Sequence, residues 1–236
     1  MRRKLAALVL LAGFVLAVPA SAQTGAGAPL PAEPSANEQA LVAKAQAALG
    51  AKQWPDAEAT LKQLISSAPR WEYSEALGNA QINQGHYADS IISYRRAIDL
   101  AQNKAGPAAI GRIYTMIGNA NLKLKNNDAA IAAYNKAAGI DPNPATAFFN
   151  LCAVMYNMGQ PAAKTVPVCD KAIAADPKKA DAYFIKGSIL LGEGTIGKDS
   201  KTIAPPGTVE ALKQYLVLAA IGGHAEDVKQ MLDFLK

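Results

Sequence analysis

The sequence of 236 residues predicts an all-α solenoid: about five helix-turn-helix units stacked side by side and closed by a C-terminal capping helix. Three observations predict it. One pattern recurs at a period of roughly thirty-four residues, with copies beginning at Trp71, Gly111 and Thr146, a looser copy at Glu38 and a half-copy at Ala180. The copies align Leu77-Gly78, Ile117-Gly118 and Cys152-Ala153, then Tyr94, Tyr134 and Cys169, then Ala97, Ala137 and Ala172. Within each copy, apolar and small residues recur at three- and four-residue spacing, the period of a helix and not of a strand. Units this small cannot bury an apolar face alone, so neighbours must stack into one core.

Taken in order, Met1-Arg2-Arg3-Lys4 is basic, Leu5 to Val18 is almost wholly apolar, and Ala20-Ser21-Ala22 is small. This predicts a signal peptide over 1–22, and so an exported protein, periplasmic or secreted. The other reading, a retained anchor, requires about twenty apolar residues, more than this run supplies. No cysteine follows the small residues to carry a lipid. Without Arg2, Arg3 and Lys4, 21 of the 24 Lys and Arg residues face 19 Asp and Glu, a net charge of about +2. The basic character therefore belongs mostly to the leader and gives no argument for a nucleic-acid partner. Residues 23–37 are rich in Ala, Gly and Pro and predict a flexible linker, having too little apolar surface to offset the entropy of ordering.

The solenoid is expected over 38–236, with repeats near 38–70, 71–104, 111–144, 146–179 and 180–222. In the copy from Gly111, Ile113, Tyr114, Ile117, Ala120, Asn121 and Leu124 trace one stripe, and Ala130, Ile131, Tyr134, Ala137 and Ala138 a second. Asn126-Asn127-Asp128 is the turn between them, since Asn and Asp bond their own backbone and tolerate left-handed conformations. Gln84-Gly85-His86 and Gly159-Gln160-Pro161 hold the same place in the copies on either side. Small residues such as Gly78, Gly118, Ala137 and Ala153 let paired helices approach, while Tyr94 and Tyr134 fill the space between hairpins. Pro69, Pro142 and Pro177 separate units, because proline lacks the amide that an interior turn needs. The last copy is interrupted by a Gly- and Pro-rich segment, 192–207, expected as a mobile loop, after which Thr208 is placed as the N-cap of the second helix. Val228, Met231, Leu232 and Leu235 share one face of a capping helix over 225–235. No apolar run beyond the leader could cross a membrane.

These residues resemble the tetratricopeptide repeat family. Leu41, Tyr114, Phe149 and Tyr183 match its aromatic or Leu near the start of the unit, the aligned dipeptides match its Leu-Gly pair, and Ala57, Ala130 and Ala211 match its mid-repeat Ala. Departures are Ser90 and Thr165 at the mid-repeat Ala, Cys169 in place of the aromatic, and an extended linker from Gln102 to Pro107. The resemblance implies that the first helices line a concave groove. Their outward positions are Gln46, Asn79, Asn83, Arg112, Asn119, Lys123, Asn150, Asn157 and Ser188. A ladder of carboxamides has donors and acceptors suited to the backbone of an extended peptide, and Arg112 and Lys123 suit an acidic group. Asn at these sites could instead solvate the face or bond locally. The family's two-carboxylate clamp for a terminal acidic motif is not reproduced as a set, so that narrow specificity is not implied.

Chemistry for catalysis is not assembled. His86 and His224 sit beside turn glycines and read as solvated turn residues, and Gly192-Glu193-Gly194 lacks the spacing of a phosphate loop. No cofactor is expected, and two cysteines without further ligands do not make a metal site. Cys152 and Cys169 fall at similar heights on the two helices of one hairpin. They are either bridged, as an exported chain permits, or two reduced core thiols. The expected function is a non-catalytic scaffold of the cell envelope that binds a protein or peptide segment. The alternatives are a structural subunit that self-associates through its terminal helices and, more remotely, a wall-directed enzyme.

Overall fold

The computed structural model describes residues 35–102, 104–197, 202–221 and 223–235. The expected signal peptide and all but the last residues of the expected linker lie outside them. The described chain is an array of helical hairpins: α1 (Ala36–Gly50) with α2 (Trp54–Ser67), α3 (Trp71–Asn83) with α4 (Tyr87–Ala101), α5 (Pro107–Lys123) with α6 (Asn127–Ile140), α7 (Ala145–Asn157) with α8 (Ala162–Ala175), and α9 (Ala180–Gly192) with α10 (Thr208–Leu218). The second helix of each hairpin packs on the first helix of the next, and α11 (Ala225–Asp233) packs on α10. Val228 is fully buried there against Leu212 and Tyr215, with Met231, Leu232 and Leu235 alongside.

The first helix opens earlier than expected. Ser35 caps it, its Oγ accepting from the Glu38 amide at 3.1 Å, so α1 begins inside the segment read as linker. Ser35-Ala36-Asn37-Glu38 has the spacing of a capping box, but the Glu38 carboxylate turns the other way. It accepts from Arg70 Nε at 2.9 Å and from the Tyr73 hydroxyl at 2.8 Å, tying the first helix to the start of α3. Burial, and then the hydrogen bond to Glu38, push the Tyr73 phenol up to about 12.

One position organises all five hairpins. Ala57, Ser90, Ala130, Thr165 and Thr208 are each fully buried in the first turn of a second helix. Thr208, and not Ala211, therefore holds the mid-repeat Ala position of the last hairpin. It is also not the N-cap: Gly207, with φ of 87°, is the cap, and Thr208 is the first helical residue. The three hydroxyls are not orphaned, since Ser90 donates to the Tyr87 carbonyl at 2.8 Å, Thr165 to that of Pro161 at 3.2 Å and Thr208 to that of Pro205 at 2.7 Å.

Four residues further along stand Leu61, Tyr94, Tyr134, Cys169 and Leu212, all at 2% exposure or less. What faces them explains the glycines. A Cβ on Gly78 would lie 2.5 Å from the Tyr94 ring and one on Gly187 2.6 Å from Leu212, and Gly118 stands equally close under Tyr134. In the fourth hairpin the tyrosine is absent, Ala153 stands where the glycine was, and Cys152 and Cys169 are joined in a disulfide with Cα atoms 5.1 Å apart. Of the two readings of these cysteines, the bridge is the one the structure adopts. The separation of helix axes does not prevent it, because the small residues here bring the two backbones within the range a bridge spans.

The turns within hairpins share a left-handed residue: Lys52 (φ 57°), Gly85 (φ 80°), Lys125 (φ 60°) and Gly159 (φ 63°). After each, an amide reaches back five residues, as in Asn126 to the Asn121 carbonyl at 2.9 Å and His86 to that of Gln81 at 2.9 Å, closing a Schellman motif. The sequence reading places this turn at Asn126-Asn127-Asp128. The left-handed conformation falls instead on Lys125, and Asn127 already belongs to α6.

Between α9 and α10 the described part of the expected mobile loop forms a two-stranded antiparallel ladder, β1 (Thr195–Ile196) with β2 (Thr202–Ile203). Thr195 lies opposite Ile203, and Ile196 opposite Thr202.

Candidate partner-binding groove

The groove residues sit on the first helices of their hairpins, but they are not equivalent. The Tyr94 hydroxyl donates to Asn79 Oδ1 at 2.8 Å, and the Tyr134 hydroxyl to Asn119 Oδ1 at 2.8 Å. The repeated Gly-Asn-Ala fragment therefore has a structural reason. Glycine makes room for the tyrosine ring, and the next residue receives its hydroxyl. Where the tyrosine is replaced by Cys169, the Asn is replaced by Val154. Where it is replaced by Leu212, the corresponding Ser188 hydroxyl is buried without a hydrogen-bond partner among the described residues. Burial raises both phenols above their ordinary range, with the Glu75 charge adding to the effect at Tyr94, so both remain protonated donors at neutral pH.

That contact fixes the amide. With each oxygen turned toward its tyrosine, the Asn79 NH2 is left without a hydrogen-bond partner among the described residues, and the Asn119 NH2 makes only a weak 4.0 Å contact with Met116 Sδ of its own helix. Asn119 Oδ1 also accepts from Asn150 Nδ2 at 3.3 Å, which joins α5 to α7. Asn119, Asn150 and Asn157 line one cavity of about 210 Å³, with Leu122, Ala153 and Met158 on its walls. Three of the predicted groove residues are thus brought together.

The others separate. Asn83 donates from Nδ2 to the Asn79 carbonyl at 2.7 Å, a local bond along its own helix. Arg112 is committed to Glu75, from Nε at 2.8 Å and from Nη2 at 3.0 Å. This fork holds α5 to α3, raises the guanidinium further above its ordinary value, and takes Arg112 out of the role of a free cation for an acidic ligand. Lys123 and Gln46 are exposed, with no hydrogen bond or ion pair among the described residues. Sequence reasoning missed Glu75 and assigned the two tyrosines to packing alone. A buried Glu on a helix stripe was the available sign of a charge partner.

The histidines differ from each other. His86 is half exposed at its turn, Nδ1 3.7 Å from Glu58 Oε2. His224, expected to be solvated, stacks on the Phe184 ring with centroids 4.0 Å apart, and its amide donates to the Tyr215 hydroxyl at 3.1 Å. Among the described residues no group of three or more His, Cys, Asp or Glu could hold a metal ion, and no helix is long and apolar enough to cross a membrane.

Fold and groove define a class: an α-solenoid of helical hairpins whose first helices present a polar face. A family model described as tetratricopeptide repeat matches residues 42–108, and one described as TPR repeat matches residues 118–159. The chain belongs to the tetratricopeptide repeat family. Solved structures share the fold. The MamA RS-1 ArsTM double mutant is 17% identical with a TM-score of 0.65, covering 80% of this chain and 97% of that one. YrrB, titled a TPR protein with an unusual peptide-binding site, is 16% identical with a TM-score of 0.61, covering 84% of this chain and all of that one. PilW, titled a widely conserved type IV pilus biogenesis factor, is 17% identical with a TM-score of 0.61, covering 82% of this chain and 83% of that one. No curated protein matches.

Proposed function

We propose that this chain is a non-catalytic interaction scaffold of the cell envelope that holds an extended peptide or protein segment along α3, α5 and α7. The observation that carries the reading is the pair of tyrosine-pinned carboxamides. Asn79 and Asn119 occupy the same place one hairpin apart, each with its oxygen engaged by a tyrosine; the Asn79 NH2 has no hydrogen-bond partner among the described residues and the Asn119 NH2 only a 4.0 Å contact with Met116 Sδ, so both can donate to a ligand. Such donors suit the carbonyls of an extended backbone and are indifferent to its side chains, which gives affinity with broad sequence tolerance. The cavity shared by Asn119, Asn150 and Asn157 extends the polar track to the next hairpin. Export rests on the basic, apolar and small-residue order of the first 22 residues, and bridged cysteines fit the oxidising compartment it leads to. The peptide-binding site described for YrrB and the pilus biogenesis role described for PilW accord with this reading.

The test uses Asn79→Asp with Asn119→Asp, which keeps an acceptor for each tyrosine and deletes the NH2 donor. Peptides selected from a random display library on the wild-type chain should lose at least about tenfold in affinity for the double variant, at unchanged Tm. Undiminished binding rejects the groove reading. A self-associating subunit is the second reading. It is favoured by Val217, Ile221 and Phe234, exposed at 76%, 100% and 71% near the C-terminal end. Sedimentation that detects a dimer abolished by Val217→Ser with Phe234→Ser supports it, and a monomer at all concentrations removes it.

A further inference from the structure

Two adjoining clefts on the opposite side of the first helices are copies of one another. Side chains advance by about 100° per residue around a helix, so Tyr114, Ile117 and Asn121 project from α5 roughly opposite to Arg112, Asn119 and Lys123. They line a cleft of about 420 Å³ between α4 and α6, with Arg95, Asp99 and Lys136 also on its walls. One hairpin earlier, Ser74, Leu77 and Gln81 of α3 line a cleft of about 530 Å³ between α2 and α4, with Lys62, Asp89 and Arg96. The repeat alignment superposes Ser74 on Tyr114, Leu77 on Ile117, Gln81 on Asn121, Lys62 on Arg95 and Arg96 on Lys136. Helix α4 is the shared wall, and its consecutive Arg95 and Arg96 line one cleft each.

The chemistry of the two sites agrees. Each holds two cations against one carboxylate. Arg95 and Arg96 are exposed and make no ion pair or hydrogen bond among the described residues. Lys62 is partly neutralised by Glu58 at 2.8 Å, and Lys136 Nζ lies 5.4 Å from the centre of the Tyr114 ring. Leu77 and Ile117 supply apolar surface to the two clefts, and Ile92, 66% exposed, adds more to the cleft between α2 and α4. The Ser74 hydroxyl beneath the α2–α4 cleft is fully buried and has no hydrogen-bond partner among the described residues.

We propose that these paired clefts are a second docking surface, taking an extended peptide segment whose acidic and apolar side chains enter both, on the side of the array away from the asparagine groove. Arg95, Arg96 and Lys136, exposed and outside any ion pair among the described residues, attract the carboxylates, and the apolar walls select the neighbouring side chains. A peptide fits this arrangement better than a membrane, because the apolar surface is divided between two recesses and not spread as one flat patch.

The probe is a fluorescein-labelled decapeptide of alternating Glu and Leu, with a Lys-Leu decapeptide and anionic phospholipid vesicles as parallel arms, each titrated with the full chain carrying Asn79→Asp with Asn119→Asp, which removes the groove donors that would hold any extended peptide. In that background, binding of the Glu-Leu peptide should weaken about tenfold or more on adding Arg96→Glu with Lys136→Glu and should weaken on adding Ile92→Ser. All of the substituted residues of the outer-face variants are exposed, so their melts should match wild type. Four results overturn the proposal: no binding of the Glu-Leu peptide, equal binding of the Lys-Leu peptide, indifference to the charge reversals, or binding to vesicles in place of peptide. Because the groove donors are absent from every arm and the groove reading is tested with other peptides on the wild-type chain, either proposal can fail without the other.

Discussion

The Tyr134 hydroxyl donates to the Asn119 carboxamide oxygen at 2.8 Å, across a hairpin whose helices meet at Gly118. Tyr94, Asn79 and Gly78 repeat the arrangement. Packing residue and groove residue are therefore one unit, so a change in either is felt in the other.

Tyr94→Phe and Tyr134→Phe should each cost about 0.5–1.5 kcal/mol, since each leaves a carboxamide oxygen without its donor. Both phenols are held above the ordinary value of 10.0 in the folded chain, chiefly by burial. Their contribution is therefore fully present below pH about 10 and is lost as pH rises past it toward the raised values, because the unfolded chain releases the protons first. Denaturant titrations of the double Phe variant should show a flatter decline in the alkaline limb than wild type. An identical decline in the two would contradict this account.

Gly118→Ala should cost about 1–3 kcal/mol, because its methyl would overlap the Tyr134 ring, which is fully buried and cannot retreat. Ala137→Leu, at another fully buried small site, should cost a similar amount. The mirror experiment is Ala153→Gly. With no tyrosine above it, glycine brings only its backbone entropy, about 0.5–1 kcal/mol. Thermal melts of the three variants check the register directly.

Cys152→Ala with Cys169→Ala should lower stability by about 2–4 kcal/mol, as expected for a bridge with a sequence separation of 17. Both sulfurs are fully buried, so reductant should leave the native protein unaltered and act only once denaturant opens the fourth hairpin. Intact-mass measurement after alkylation, with and without denaturant, distinguishes this from two free thiols.

At the turns, Lys52→Gly and Lys125→Gly should each stabilise the chain by about 1 kcal/mol, since a side chain in the left-handed region is penalised and glycine is not. Gly85→Ala and Gly159→Ala should destabilise by a similar amount. Denaturant midpoints check both directions.

The array was legible in the sequence because repetition multiplies a weak helical signal. Tyr94 and Tyr134, in phase with Gly78 and Gly118, fixed the register of the middle hairpins. What escaped depended on geometry within that register. Lys125 takes the left-handed place although Asn126 beside it has the better intrinsic tolerance, because helix length, and not propensity, decides where the Schellman turn closes. Thr208 reads as a cap because the segment 192–207 breaks the spacing that elsewhere relates the glycine of the first helix, here Gly187, to the start of the second. In the groove, Arg112 could be placed on a face, but its Glu75 partner lies 37 residues away in sequence, where no short-range pattern reaches.

The central claim is that Asn79 and Asn119 present fixed NH2 donors to a bound backbone, and the side-chain amide resonances of these two residues report it directly. On titration with a peptide selected by the wild-type chain, both pairs of NH2 signals should shift together and saturate at the peptide's Kd, while the signals of Asn126 and Asn135 stay in place. Saturating binding that leaves the Asn79 and Asn119 signals unmoved would contradict the account.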